Sequence, residues 1–152
     1  MSYSEEIAKK VLNQYFSGFK YQDNYRPEWL GGLEIDRLYP DLGVAVEFQG
    51  GQHFRPIPGM HSSEADFRRQ VSNDTQKRQI LNARGYQLYA LEMIDLDTFK
   101  LKSLVGRVLA DGKRYASSKN DQMTLQKLSA VRYDLPLNPE LENEINKLSF
   151  QK

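Results

Sequence analysis

Cysteine is absent from the 152 residues. That excludes a disulfide framework and thiolate zinc sites, and it agrees with a reducing compartment. No apolar run approaches the roughly 18 residues of a membrane span, and Met1 to Lys10 lack the apolar segment of a secretion signal. The expectation is a soluble, cytoplasmic protein. Excess charge is missing too: 21 Lys and Arg face 20 Asp and Glu, a net +1 that does not announce a nucleic-acid binder. Repeats and low-complexity segments are also absent. What remains, 39% hydrophobic and 27% charged residues at this length, describes one globular domain with room for a core.

The most informative stretch is Leu33-Glu34-Ile35-Asp36 followed by Val44-Ala45-Val46-Glu47-Phe48-Gln49. Strand residues alternate between faces, so Val44, Val46 and Phe48 share one face while Ala45, Glu47 and Gln49 share the other. Pro40-Asp41-Leu42-Gly43 has the residues of a short turn between antiparallel strands. A hairpin in suitable register then sets Asp36 beside Glu47 and Gln49. Two carboxylates and an amide oxygen are hard ligands of the kind Mg²⁺ takes while keeping positions for water and phosphate. The other reading is the exposed face of an amphipathic hairpin. Gly50-Gly51 at the strand's end points to a bent or closely approached backbone.

Around this hairpin the chain reads as α+β. Ile7, Val11 and Tyr15, widened by Leu12 and Phe16, predict a first helix. On its wheel Glu5 borders the apolar face, where a first turn favoured by the helix dipole explains it equally well. Tyr21 to Gly32 holds a short strand and a loop. Pro56, Pro58 and Gly59 form a second loop, and Ser63 with Asp66 opens a helix running to about Ala83 and stopping at Gly85. On that helix Phe67, Val71 and Leu81 define an apolar face that also includes Asp74 and Arg78, with Lys77 at its edge. An ion pair of Asp74 with Arg78 or Lys77 is the plain account. Gln87 to Met93 reads as a buried strand, Phe99 to Leu109 as a helix ending near Gly112, and Asp121 to Val131 as another. A last helix follows Asn138-Pro139. The expected division is a core of residues 1–112 and a helical extension of residues 113–152.

Between Thr98 and Arg132, eight basic residues face two acidic ones. Lys113, Arg114, Lys119 and Arg132 are candidate phosphate contacts, with a solvated face as the alternative. His53 and His61 lack zinc spacing; His53 and the neighbouring Arg55 are read as structural or as phosphate contacts.

Asp36, about ten residues, then Glu47-Phe48-Gln49 resembles the signature of the PD-(D/E)XK nuclease superfamily, in the variant where Gln stands in the usual lysine position. EFQGGQHF, Glu47 to Phe54, is similar to a block in phage and intron-encoded nucleases of that superfamily. Phe67, Asp74, Lys77, Ile80 and Gly85-Tyr86 fall where such proteins carry their next helix and strand, so the resemblance spans residues 5 to 93. It extends to group I intron homing endonucleases with the restriction-endonuclease fold. The resemblance implies a mixed central sheet flanked by helices in the order α, β, β, β, α, β, α. It further implies Mg²⁺, with Mn²⁺ or Ca²⁺ as substitutes in binding, held by Asp36, Glu47 and the Phe48 carbonyl. Gln49 would hold the metal or its water, and Glu5 or Lys77 would supply what Gln49 lacks. The implied activity is site-specific double-strand DNA cleavage in intron homing, restriction or repair, by a homo-oligomer, a tetramer or a dimer, associated with the nucleoid when on DNA. A non-catalytic DNA-binding relative is the remaining alternative. Leu125, Leu128, Leu141, Ile145 and Leu148 are the expected subunit interface.

Overall fold

The structure is a computed structural model that describes residues 3–49, 64–94 and 96–150. Helix α1 (Tyr3–Tyr15) buries Ile7, Ala8, Val11, Leu12 and Tyr15, the stripe its periodicity predicts. Strands β1 (Gln22–Tyr25), β2 (Ile35–Tyr39) and β3 (Val44–Gln49) follow, then α2 (Glu64–Ala83), β4 (Gln87–Glu92), α3 (Thr98–Ser118), α4 (Gln122–Ser129) and α5 (Pro139–Phe150). The sheet order is β1-β2-β3-β4. The first three strands form an antiparallel meander, while β4 lies parallel to β3 after the α2 crossover. The molecule is thus a mixed four-stranded sheet with helices, an α+β arrangement.

Two aromatic and aliphatic layers cover the sheet. Val44, Val46 and Phe48 join α1 and α3 in the main core, whereas Leu38, Ala45 and Leu81 of α2 meet on the other side. The β2–β3 turn closes with the Leu42 amide donating to the Tyr39 carbonyl at 3.2 Å, and Gly43 there has φ of 62°. Glycine is required at that position, because a Cβ would stand 2.4 Å from the Tyr115 ring.

Asp97 caps α3 by accepting from the Lys100 amide at 2.7 Å. The helix does not stop near Gly112 as its sequence predicts; it runs on to Ser118. Gly112 is a point of close approach, where a Cβ would lie 3.2 Å from Leu42 and 3.4 Å from Leu128. A division at residues 112 and 113 therefore falls inside one continuous helix. Because α3 continues, α4 folds back onto it and α5 packs on α1 and α3. The apolar residues expected at a subunit interface are spent there. Leu128 and Ile145 are buried in the chain's own core, with Leu125, Leu141 and Leu148 packed against it. Lys102 straps the segment between α4 and α5, donating to the carbonyls of Tyr133 at 2.7 Å and Leu135 at 3.2 Å. Among the described residues no helix is long and apolar enough to cross a membrane.

Burial of Ile145 makes a charge there a stability defect and not a probe of assembly. Ile145→Asp is expected to cost about 3 kcal/mol or more in urea unfolding. An unchanged urea midpoint would return this residue to the surface.

Candidate active site

Strand register carries Asp36 to Glu47. Leu38 pairs with Ala45 and Arg37 with Val46, so the next opposed residues are Asp36 and Glu47. There the backbone ladder gives way to side chains. The Asp36 amide donates to Glu47 Oε2 at 3.1 Å, and the Phe48 amide donates to Asp36 Oδ2 at 2.8 Å. Each carboxylate is thereby pinned across the two strands. In an extended strand a residue's N–H and C=O share one edge, so the Phe48 carbonyl faces the β2 side, where Asp36 lies.

Lys77 reaches this pair from α2 and donates to Glu47 Oε1. The two side chains are only 12% and 10% exposed, so the contact is screened from water. Lys77 thus has a partner across the sheet, which a pair along its own helix does not predict. Arg78 donates to the Leu88 carbonyl at 3.4 Å. The expected apolar face of α2 is also largely absent: only Leu81 is buried, and Val71 is 41% exposed. The helix stands off the sheet over a cavity of about 380 Å³ whose lining includes Glu47, Gln49, Asp74, Lys77 and Glu92. Gln49 thus opens into the same space as Glu47.

Burial is the largest influence on Glu47, and with the neighbouring Asp36 it raises the carboxyl from 4.5 to about 7 against the opposing pull of Lys77. Two adjoining carboxylates and one ammonium leave the ionised site one negative charge in excess, in a low-dielectric place. A hard divalent cation relieves that excess. Among the described residues no three His, Cys, Asp or Glu side chains group as a metal cage. The donor set therefore fits Mg²⁺, which binds through one or two carboxylates and keeps its waters, better than an ion needing an all-protein shell.

Glu5 is placed differently. Its ion pair is with Lys9, at 3.0 Å, and Lys9 also lies 3.8 Å from Asp23 and 5.5 Å from the centre of the Phe48 ring. Phe48 belongs to the α1 layer, while Lys77 reaches Glu47 from α2. Lys9 leads into a polar cluster that sequence reasoning missed. Arg37, 1% exposed, is held by Asp23 through two bonds of 2.6 and 3.0 Å and by Asn13 at 2.8 Å, and it lies 3.8 Å from the Tyr21 ring centre. The available signal was an arginine at the strand parity of Ile35 and Tyr39.

Of the candidate phosphate contacts, Lys113, Arg114 and Lys119 are exposed on the last turns of α3. Arg132 is not a free cation. Asp134 holds it through two bonds of 3.0 and 2.8 Å, and that pairing sets the Asp134 carboxyl below its ordinary range. His53 and Arg55 lie outside the described residues, as does His61.

No family model matches the chain, and no solved structure matches it significantly. It is similar to uncharacterized protein 307L of Invertebrate iridescent virus 6, with 36% identity over 77 residues, 47% of this chain and 39% of that protein. It is also similar to uncharacterized protein 094L of Frog virus 3, with 26% identity over 84 residues, 55% of this chain and 54% of that protein. The chain therefore spans about half or less of these relatives' lengths.

The raised Glu47 has a thermodynamic signature. Its folded value of about 7 lies above the unfolded 4.5, so the native state binds the proton more tightly. The resulting stability is full below 4.5 and is lost as pH rises through 7. With chelator present, the parent is expected to lose on the order of 2 kcal/mol relative to Glu47→Gln between pH 5 and 8 in urea titrations. Mg²⁺ at pH 8 should return part of that loss to the parent alone. Parallel pH profiles for the two proteins would contradict the assignment of Glu47 as a buried, high-pKa group.

Proposed function

We propose that this chain is a Mg²⁺-dependent endonuclease acting on double-stranded DNA, built on a PD-(D/E)XK core of the restriction-endonuclease kind. The observation that carries the reading is Lys77 on Glu47 beside Asp36: a helix delivers the cation that Gln49, in the strand position, cannot be. The element order from α1 to α3 and the mixed sheet agree with that core.

Asp36, Glu47 and the Phe48 carbonyl would hold the metal. When bound, Mg²⁺ supplies Lewis-acid polarisation of the phosphate and lowers the pKa of water. Lys77 opposes the proton on Glu47 and so favours the ionised carboxylate near neutral pH. The Lys77 ammonium, beside Glu47 in a place screened from water, would donate to the attacking water or a phosphate oxygen. Gln49 has a neutral donor and acceptor and orients water without adding charge. Among the described residues each chain carries one such site, so cutting both strands would take two copies related by symmetry. Homing, restriction and repair differ in product and not in this chemistry. The non-catalytic alternative rests on Gln49 standing for lysine, and Lys77 removes its main support.

Under single turnover, Asp36→Asn and Glu47→Gln are expected to lose cleavage while keeping DNA binding. Lys77→Ala should slow it by about 100-fold or more, with Lys77→Arg partly active. Parent-like cutting by Lys77→Ala would remove the lysine from the mechanism. Digestion of long DNA with Mg²⁺ separates the uses: one rare double-strand cut for homing, frequent short sites for restriction, nicks for repair. Binding without any cut would leave the non-catalytic reading.

A further inference from the structure

β4 is one of the two edge strands of the sheet among the described residues, and the cavity over the carboxylates opens along it through Leu88, Ala90 and Glu92. At the opposite end of β4 lies a second cleft, of about 230 Å³, between the α2–β4 turn and the last turns of α3. Three cations line it: Arg84, Arg114 and Lys119, with Asp111 as the one lining carboxylate. Asp111 is taken by Arg114 at 2.5 Å. Arg84 instead lies against an aromatic ring, 4.1 Å from the centre of Trp29. Lys119 is 5.5 Å from the Tyr115 ring centre. Among the described residues neither of these two cations has a carboxylate partner. Stacking fixes the plane of the Arg84 guanidinium and leaves its edge donors for a ligand.

Between the two cavities the border of β4 is also basic. Arg78 projects on the α2 side with its donor at the Leu88 carbonyl. Arg107 lies over Tyr89 on the α3 side, 5.1 Å from the ring centre. Both are exposed. A chain with net charge of only +1 thus gathers five cations along one strand, starting at the acidic site and ending at the cleft.

We propose that the β4 edge is the track of the substrate's phosphate backbone, and that the Arg84, Arg114 and Lys119 cleft holds one phosphate of it. The proposal rests on the reading of the chain as a DNA-acting protein and adds where the DNA lies. From Glu92 to Gln87 is five residues, roughly 17 Å at ~3.3 Å each. One strand of B-form DNA rises about 3.4 Å per nucleotide while winding about its axis, which sets successive phosphates roughly 7 Å apart, so the held phosphate lies about three nucleotides from the bond at the carboxylates. A cleft lined by three cations suits anchoring of the backbone without base readout.

The test is metal-free binding of a 30-base-pair duplex by fluorescence anisotropy across a salt series. Arg84→Gln with Lys119→Gln should lower the slope of log K against log salt by about 0.9, the contribution of the one phosphate the two side chains hold between them. Lys10→Gln with Lys147→Gln, which removes equal charge from α1 and α5, should leave the slope near that of the parent. Circular dichroism checks that both proteins are folded. Equal slopes for the Arg84/Lys119 protein and the parent overturn the track, as does an equal fall in the Lys10/Lys147 protein, which would mean net charge alone. A parent that binds no duplex overturns it together with the DNA reading. Binding with the expected slopes but no cleavage in Mg²⁺ upholds the track and removes the catalytic reading. Cleavage with unchanged slopes does the reverse. In a cutting parent, shortening the duplex below about three nucleotides on one side should reduce the rate, and the double variant should be indifferent to that shortening.

Discussion

A carboxylate sits on an inner strand of a sheet that helices cover on both sides. Glu47 is 7% exposed, and burying its charge is costly unless donors compensate it. The compensation comes from two other elements: the Asp36 amide on β2 and the Lys77 ammonium on α2. This need explains the odd attachment of α2. A crossover helix ordinarily docks through an apolar stripe, yet α2 buries only Leu81, near its C-terminal end. Toward its middle it is tied to the sheet by a polar contact. Apolar residues there would fill the cavity that Glu47, Gln49 and Lys77 line.

The same sheet separates two kinds of charged cluster. On the α1 side, Lys9 and Arg37 are matched against Glu5 and Asp23, and both cations are buried. Arg37 ties β2 to β1 and to α1 through Asp23 and Asn13, immediately beside Asp36 in sequence. On the α2 side the charges do not balance, and open volume adjoins them. A matched, closed cluster rigidifies; an unmatched, open one invites a ligand. Asp36 and Glu47 belong to the second kind.

Charge on the rest of the surface follows a similar division. Arg132 and Lys102 spend donors on partners within the chain. A basic count along the sequence therefore overstates what is free to meet a polyanion. The cations that keep their charge available cluster by the β4 edge, where Arg84 and Arg107 lie against aromatic rings instead of carboxylates.

Local alternation and helical spacing were enough to identify the strands around Asp36 and Glu47, the α1 stripe, the β2–β3 turn and the cap at Asn138, once the structure is compared with them. Opposition of Asp36 and Glu47 followed from strand parity and a short turn, because both act over a few residues. Other features depended on contacts between distant segments. Lys77 pairs across thirty residues with Glu47, and no helical periodicity distinguishes that from a partner one turn away. Gly112 has the composition of a stop, but α3 continues because Leu42 and Leu128 press against it. The C-terminal leucines looked like an interface because an amphipathic stripe records that a face is apolar and not what covers it. Sequence determined which residues prefer which face. Tertiary packing decided which neighbour each long side chain reaches, since that depends on where a crossover helix lands and how much space it leaves.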